Sequence, residues 1–434
     1  MKAEETKNHI KELVKNYYEE VFKDKKNDNI PASGKIFDEK ELINAIDAVL
    51  DGVWTHGRFS ELFQNKLSGF LGIKYAMLAN SGSSANLLAV SSLFAPNIGE
   101  RRIKPGDEII TTACGFPTTI NPIIQNNAVP AFVDIKMDTY NIDENMVEDA
   151  ISDKTRAIIA AHTLGNPFNI DNIMKICKKH DLFLIEDACD ALGSKYNGRY
   201  VSNFGDLGTF SFYPAHQITM AEGGAVVTNN PAIKKAVESI RDWGRDCLCL
   251  PGIDDTCKKR FSQKFGGLPE GYDHKYTYST IGYNLKGNDI LAAIGLAQLE
   301  KLSFFMEIRE RNFKLLKKSL SEFDDYFFFQ EKEPKSKPCW FGFLITLRED
   351  IKFTRNEIID FLEKNKISTR LLFGGNITKQ PYFKNYEIKY RNTELKNTDR
   401  AMNNSFWVGI YPGLEESDII YVYEKISEFT RQKK

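Results

Sequence analysis

Tyr75-Ala76-Met77-Leu78-Ala79-Asn80-Ser81-Gly82-Ser83-Ser84-Ala85-Asn86 is the stretch that sets the fold class. Residues 75–79 form a short apolar run of the length expected for a buried strand. Ser81 and Gly82 end it, and a helix opens at Ser83, since serine suits a helix cap and glycine a tight turn. A strand that turns directly into a helix is the building unit of an α/β domain.

The same alternation extends outward on both sides. Helical spacing over residues 59–71 leads into the strand. Further strands are predicted near 108–111, 131–134, 157–160 and 183–186, with helical segments between several of them. Such a series implies an α/β fold with a mostly parallel sheet covered on both faces. Ligands of these sheets sit at the carboxyl ends of the strands. Upstream, Leu13, Val14, Tyr17, Tyr18, Val21 and Phe22 recur at helical spacing, Asn27-Asp28-Asn29-Ile30-Pro31 ends that helix, and residues 39–50 form another. Downstream, helices are expected over 290–302, 306–320, 354–363 and 415–429, with strands over 340–346 and 369–372. The expected domains are a helical segment over 1–52, a large domain over 53–300 with a cysteine-rich insertion around 245–275, and a smaller α/β domain over 301–434.

Composition narrows the class. The 434 residues are 42% hydrophobic and 27% charged with a net charge of -1, and the pI is near 6.6. That balance argues against nucleic acid or a polybasic membrane role. No apolar run reaches the ~20 residues of a membrane span. The stretch Met1-Lys2-Ala3-Glu4-Glu5-Thr6-Lys7 lacks the apolar core of a signal peptide, so the expected compartment is the cytoplasm. Seven cysteines, an odd number in a long chain, do not suggest a disulfide framework.

Three positions fall where an α/β sheet binds ligands. Gly82 and Ser83, with Ser211 as a further hydroxyl, suit an anion at a helix N-terminus; an ordinary glycine-containing helix cap is the alternative. Phe116, in Cys114-Gly115-Phe116-Pro117, suits stacking on a planar ring or packing in a core. Asp187 ends Phe183-Leu184-Ile185-Glu186-Asp187, where it either meets a protonated ring nitrogen or caps the next helix.

Taken in chain order, these residues resemble the DegT/DnrJ/EryC1/StrS sugar aminotransferase family. The likeness runs from about Trp54 to Leu299, and more loosely to the end. It includes Glu186-Asp187-Ala188, Ser211-Phe212, Gly223-Gly224 and Gly282-Tyr283-Asn284. It implies a fold-type I pyridoxal-phosphate transferase architecture: a seven-stranded, mostly parallel sheet flanked by helices, plus the smaller domain. It further implies that Gly82 and Ser83 bind the cofactor phosphate, Phe116 stacks on the pyridine and Asp187 contacts its nitrogen. Asn284 would reach the phosphate in a neighbouring subunit, making the unit a homodimer; Lys286-Gly287 replaces the Arg-Met pair common beyond it.

One position departs from that family. Ser211-Phe212-Tyr213-Pro214-Ala215-His216 ends in histidine where the aminotransferases carry the lysine that anchors the cofactor. Histidine makes no such anchor but moves protons near neutral pH, its unperturbed pKa being about 6.5. The cysteines add a second signal. Cys247, Cys249 and Cys257 form C-x-C-x7-C, and Cys189 lies two residues beyond Asp187. Four thiolates suit an iron–sulfur cluster or a zinc ion; unrelated buried thiols are the third reading.

His216 and the cysteine spacing together resemble one subgroup, the CDP-4-keto-6-deoxy-D-glucose 3-dehydrases of 3,6-dideoxysugar biosynthesis. That resemblance implies non-covalent pyridoxamine phosphate and a [2Fe-2S] cluster on Cys189, Cys247, Cys249 and Cys257. His216 would be the acid/base, and an NAD(P)H-dependent flavin/iron–sulfur reductase the partner. The substrate would be a nucleotide-linked 4-keto-6-deoxy sugar that loses its C3 hydroxyl. His56, His162 and Arg370 are candidate substrate contacts; a structural role for His162 and a salt-bridged Arg370 stand as alternatives. The rival activities are a cluster-free 3-dehydrase that releases ammonia, an aminotransferase that tolerates histidine, and a non-enzymatic nucleotide-sugar-binding scaffold.

Overall fold

The computed structural model describes residues 2–23, 28–250 and 253–433. Asn27 of the expected helix break, and residues 251–252 of the cysteine-rich segment, lie outside the described residues.

Eight strands form the large sheet, in the order Tyr75–Ala79, Gly224–Thr228, Leu207–Ser211, Phe183–Asp187, Thr155–Ala161, Glu108–Thr112, Val129–Val133 and Arg391–Asn392. Gly224–Thr228 runs antiparallel to both neighbours, and every other pairing is parallel. The expected sheet had seven strands. The eighth is a two-residue strand from the C-terminal third, added at the edge beside Val129–Val133. Arg391 secures it through an ion pair with buried Glu108. Nothing in so short a polar pair carries a strand signal.

The strands read as near-continuous apolar runs because both faces are buried. One face packs with Phe63, Leu67, Phe168, Ile173 and Phe212, the other with Leu88, Val90, Ile233 and Val237. A second sheet, Phe327–Phe329, Phe343–Leu347, Ser405–Val408 and Thr369–Arg370, is antiparallel throughout. Its core draws on the helices Arg355–Lys364 and Glu416–Gln432 through Ile358, Leu362, Ile419, Val422 and Ile426.

The segments expected as two helices, 290–302 and 306–320, form one, Asp289–Leu320. Its first half buries Ala292, Ala293, Leu296 and Leu302 in the large core. Its second half buries Phe313, Leu316 and Leu320 in the small one. Position 300 therefore falls inside a helix shared by both cores. Among the described residues no helix is long and apolar enough to cross a membrane.

Candidate active site

A cleft of about 760 Å³ opens at the carboxyl ends of the parallel strands, between the large sheet and the C-terminal elements. Residues at or just beyond the ends of five strands reach it: Ser81, Cys114, His162, Asp187 and Ser211. Phe341, Arg370 and Trp407 close it from the other side.

The helix Gly82–Ser92 points its N-terminus into the cleft. Ser81 caps it, accepting from the backbone N–H of Ser84. Glycine is required at 82, where a Cβ would stand 2.4 Å from Ser211 Cβ. At 224 a Cβ would stand 2.3 Å from the Ser81 carbonyl oxygen. Strand, turn and helix are thus drawn tight, and Gly82, Ser83 and Ser211 line one end of the cleft. Free N–H groups at a helix start and two hydroxyls form a cradle suited to a phosphate.

Asp187 forms the floor and is 5% exposed. Its Oδ2 accepts from Asn86 Nδ2 at 2.8 Å and Thr119 Oγ1 at 2.7 Å. Its Oδ1 accepts from the backbone N–H of Cys189 at 3.1 Å. Thr209 Oγ1 donates to Asn86 Oδ1 at 2.6 Å, which fixes the amide with its NH2 toward Asp187. Phe116 lines the cleft with half its surface exposed, its ring edge-on to Phe373. A cradle, an exposed ring and an oriented carboxylate fit the phosphate, ring face and ring nitrogen of pyridoxamine phosphate.

His216 packs its ring on Phe341, centroids 5.2 Å apart, with Nδ1 3.6 Å from Asp190 Oδ1. Burial, with the Arg309 guanidinium second, pushes its pKa down to about 3. Burial and the neighbouring Asp187 push the Asp190 carboxyl up to about 8. Burial thus disfavours charge on both members of the pair, the imidazolium and the carboxylate alike.

The remaining candidates separate. Arg370 lines the cleft and binds its own neighbour's carbonyl, Thr369 O, at 2.7 Å. His162 reaches the cleft wall, but its side chain is fully buried and stacked on Phe168. Its Nδ1 accepts from the Phe168 N–H and its Nε2 lies 3.2 Å from Glu186 Oε2. Both nitrogens are engaged, so the structural alternative describes His162 better than a substrate contact. Burial works to raise Glu186, yet His162 and the backbone N–H groups of Gly205 and Ser202 hold it below the usual carboxylate range. His56 is not among the cleft's lining residues; it is buried with Nε2 2.5 Å from Glu61 Oε1. Asn284 also lies outside this chain's own cleft, on a segment bridged to Asp242.

The cysteines do not assemble as a ligand set. Cys189 lines the cleft, where burial and the charges of Asp187 and Asp190 hold its thiol well above the usual range. Cys247 and Cys249 are hydrogen-bonded to each other, and Cys249 Sγ lies 3.1 Å from Thr256 Oγ1. Cys257 is exposed. None of the described residues from 247 to 257 lines the cleft. Among the described residues, no group of three or more His, Cys, Asp or Glu is placed to hold a metal ion. The expected four-thiolate cluster therefore does not fit this arrangement of side chains.

Asn86, Thr119, Asp190, Arg309 and Phe341 went unread in the sequence. Asn86 and Thr119 carried a faint signal: each follows a motif residue by three or four positions, one helical turn. Phe341 comes from the other domain, and no local pattern announces it.

The comparisons with known proteins agree on the family. A profile of the DegT/DnrJ/EryC1/StrS aminotransferase family matches residues 37–427. The lipopolysaccharide biosynthesis protein RfbH of Salmonella typhimurium is 52% identical over 434 residues, 99% of each chain. A dTDP-4-dehydro-2,6-dideoxy-D-glucose 3-dehydratase of Saccharopolyspora spinosa is 50% identical over 401 residues, 92% of this chain and 86% of the relative. Among solved structures, an E. coli GDP-4-keto-6-deoxy-D-mannose-3-dehydratase with bound hydrated PLP superposes with a TM-score of 0.80. It is 28% identical, and the match covers 92% of this chain and 99% of that one.

Proposed function

The chain belongs to the DegT/DnrJ/EryC1/StrS aminotransferase family, and we propose that within it this protein removes the C3 hydroxyl of a nucleotide-linked 4-keto-6-deoxyhexose. The observation that carries the proposal is the position of His216, in the wall of a cleft whose floor is the buried Asp187. An aminotransferase needs a lysine anchor; a histidine supplies proton transfer without one.

Pyridoxamine phosphate, when bound, supplies an amine for the C4 ketone and a ring that withdraws electrons. Gly82, Ser83 and Ser211 would hold its phosphate. Phe116 would cover the ring, and Asp187, oriented by Asn86 and Thr119, would accept from the ring nitrogen. His216 takes a proton at its imidazole from the carbon bearing the amine. It then gives the proton to the departing C3 oxygen. Arg370 is the candidate for the nucleotide's diphosphate. Asn284, outside its own cleft, would serve the cleft of a second copy, which makes the unit a homodimer.

The nucleotide is proposed to be CDP and the pathway 3,6-dideoxysugar biosynthesis for the lipopolysaccharide O-antigen, in the cytoplasm. The lipopolysaccharide role in the name of the Salmonella relative supports the lipopolysaccharide part of this reading. The [2Fe-2S] cluster and its NAD(P)H-dependent reductase rest on the spacing of Cys189, Cys247, Cys249 and Cys257. The ungathered thiols favour a second reading, a cluster-free 3-dehydratase that releases ammonia.

One experiment separates these. Protein loaded with pyridoxamine phosphate is incubated anaerobically with CDP-4-keto-6-deoxy-D-glucose, with and without a reductant, alongside iron and sulfide analysis. A 3-deoxy ketosugar formed only with reductant, by iron-containing protein, supports the primary reading. The same product with ammonia from iron-free protein supports the second. A 4-aminosugar overturns both.

A further inference from the structure

Among the described residues, His216 alone lines both the cleft and a second pocket, of about 10 Å³. Pro214, Gln217, Gln298, Phe305 and Arg309 share the wall of that pocket. Three buried polar atoms on these residues have no hydrogen-bond partner: His216 Nδ1, Gln217 Oε1 and Arg309 Nε. Three such atoms on one small wall call for an explanation, because buried polar groups are almost always paired.

The orientations of Gln217 and Arg309 are fixed by their other bonds. Gln217 Nε2 donates to the carbonyl oxygens of Asp190 and Cys339. Carbonyls only accept, so the NH2 must face them and Oε1 must face away. Arg309 is fully buried, and its other nitrogens donate to the carbonyls of Trp340, Phe341 and His216 at 3.1–3.2 Å. Its Nε–H is a donor with nothing to meet. Asp190 Oδ1, 3.6 Å from His216 Nδ1, is too far for a hydrogen bond.

A donor, an acceptor and a ring nitrogen that can be either, on residues that line a space of about one water's size, match a single water molecule. We propose that a water in this pocket accepts from Arg309 Nε–H, donates to Gln217 Oε1 and accepts from His216 Nδ1–H. That arrangement keeps the imidazole proton on Nδ1 and the lone pair on Nε2. Gln217 and Arg309 are then positioning residues that hold the water against Nδ1. The significance rests on the acid/base reading of His216, but the water and the tautomer are measured on the protein itself.

The test has two parts. A high-resolution crystal structure should show an ordered water bonded to all three atoms. Nitrogen-15 NMR of histidine-labelled protein, with His216 assigned by its loss in His216→Asn, should show a protonated Nδ1 and an unprotonated Nε2. Gln217→Met removes the acceptor and should mix the tautomers. Gln217→Met should also lower kcat several-fold with cofactor affinity unchanged. A dry pocket, an Nε2–H tautomer in the parent, or a Gln217→Met spectrum identical to the parent's overturns the proposal. Because none of these three readouts requires turnover, failure here is distinguishable from failure of the proposed activity.

Discussion

The chemistry turns on single side chains whose environments are set by burial. His216 stays neutral because its ring is held against Phe341 with the Arg309 guanidinium nearby. The consequence for stability has a definite sign. Between the unfolded value of 6.5 and the folded value of about 3, the unfolded chain binds more protons here than the folded one. The site therefore loses stability as pH falls through that window. Asp190 works oppositely: raised to about 8, it contributes stability at low pH that is lost as pH rises from its unfolded value toward 8. Replacing His216 by asparagine should accordingly reduce the loss of stability between pH 7 and 5 by up to about 2 kcal/mol. Urea titrations at the two pH values would read this; an unchanged difference would mean the imidazole is charged. For Asp187→Asn the expected loss is one charge-assisted bond to the ring nitrogen, about 1.5–3 kcal/mol. That is roughly ten- to a hundredfold in pyridoxamine phosphate affinity, measurable by equilibrium dialysis. His216 and Asp187 were legible in the sequence because each sits in a local motif. The bonds that orient Asp187, and the ring under His216, were not, because they cross between elements distant in the chain.

Elements hold the site by capping one another as much as by packing. The helix Arg58–Leu71 begins at Gly57, which offers no side-chain cap. Its cap comes from the start of another helix: Asp289 accepts from the N–H groups of Gly57, Phe59 and Ser60 at 2.9, 3.2 and 2.8 Å. Asp289 is fully buried, so removing it leaves buried donors unpaired at a helix start. Asp289→Ala should cost about 2–3 kcal/mol, seen as a lower urea midpoint, with Asp289→Asn milder. A loss below about 0.5 kcal/mol would show that water replaces the carboxylate. Strand and helix periodicity over 59–229 was readable because both faces of the sheet are apolar. Two strands, Leu207–Ser211 and Gly224–Thr228, were not picked out, and the short edge strand Arg391–Asn392 offers too few residues for any period.

At the scale of the whole molecule, two cores joined by the helix Asp289–Leu320 place Phe341, Arg370 and Trp407 over the strand ends. Sequence pattern revealed the two α/β layers but not the way the second covers the first, since that depends on long-range packing. Within that frame Gly82→Ala should disturb strand, turn and helix together, because its Cβ would meet Ser211 Cβ at 2.4 Å. The expected result is loss of pyridoxamine phosphate binding with a lowered thermal midpoint. The central claim, that His216 of this scaffold carries proton transfer, has one direct measurement. Parent and His216→Asn, each loaded with pyridoxamine phosphate and the ketosugar, are placed in deuterated water, and deuterium entering the cofactor's amine-bearing carbon is followed by mass spectrometry. The parent should exchange, and the variant should do so about 10²–10⁴-fold more slowly while still binding the cofactor. Equal exchange in the two proteins would contradict the account.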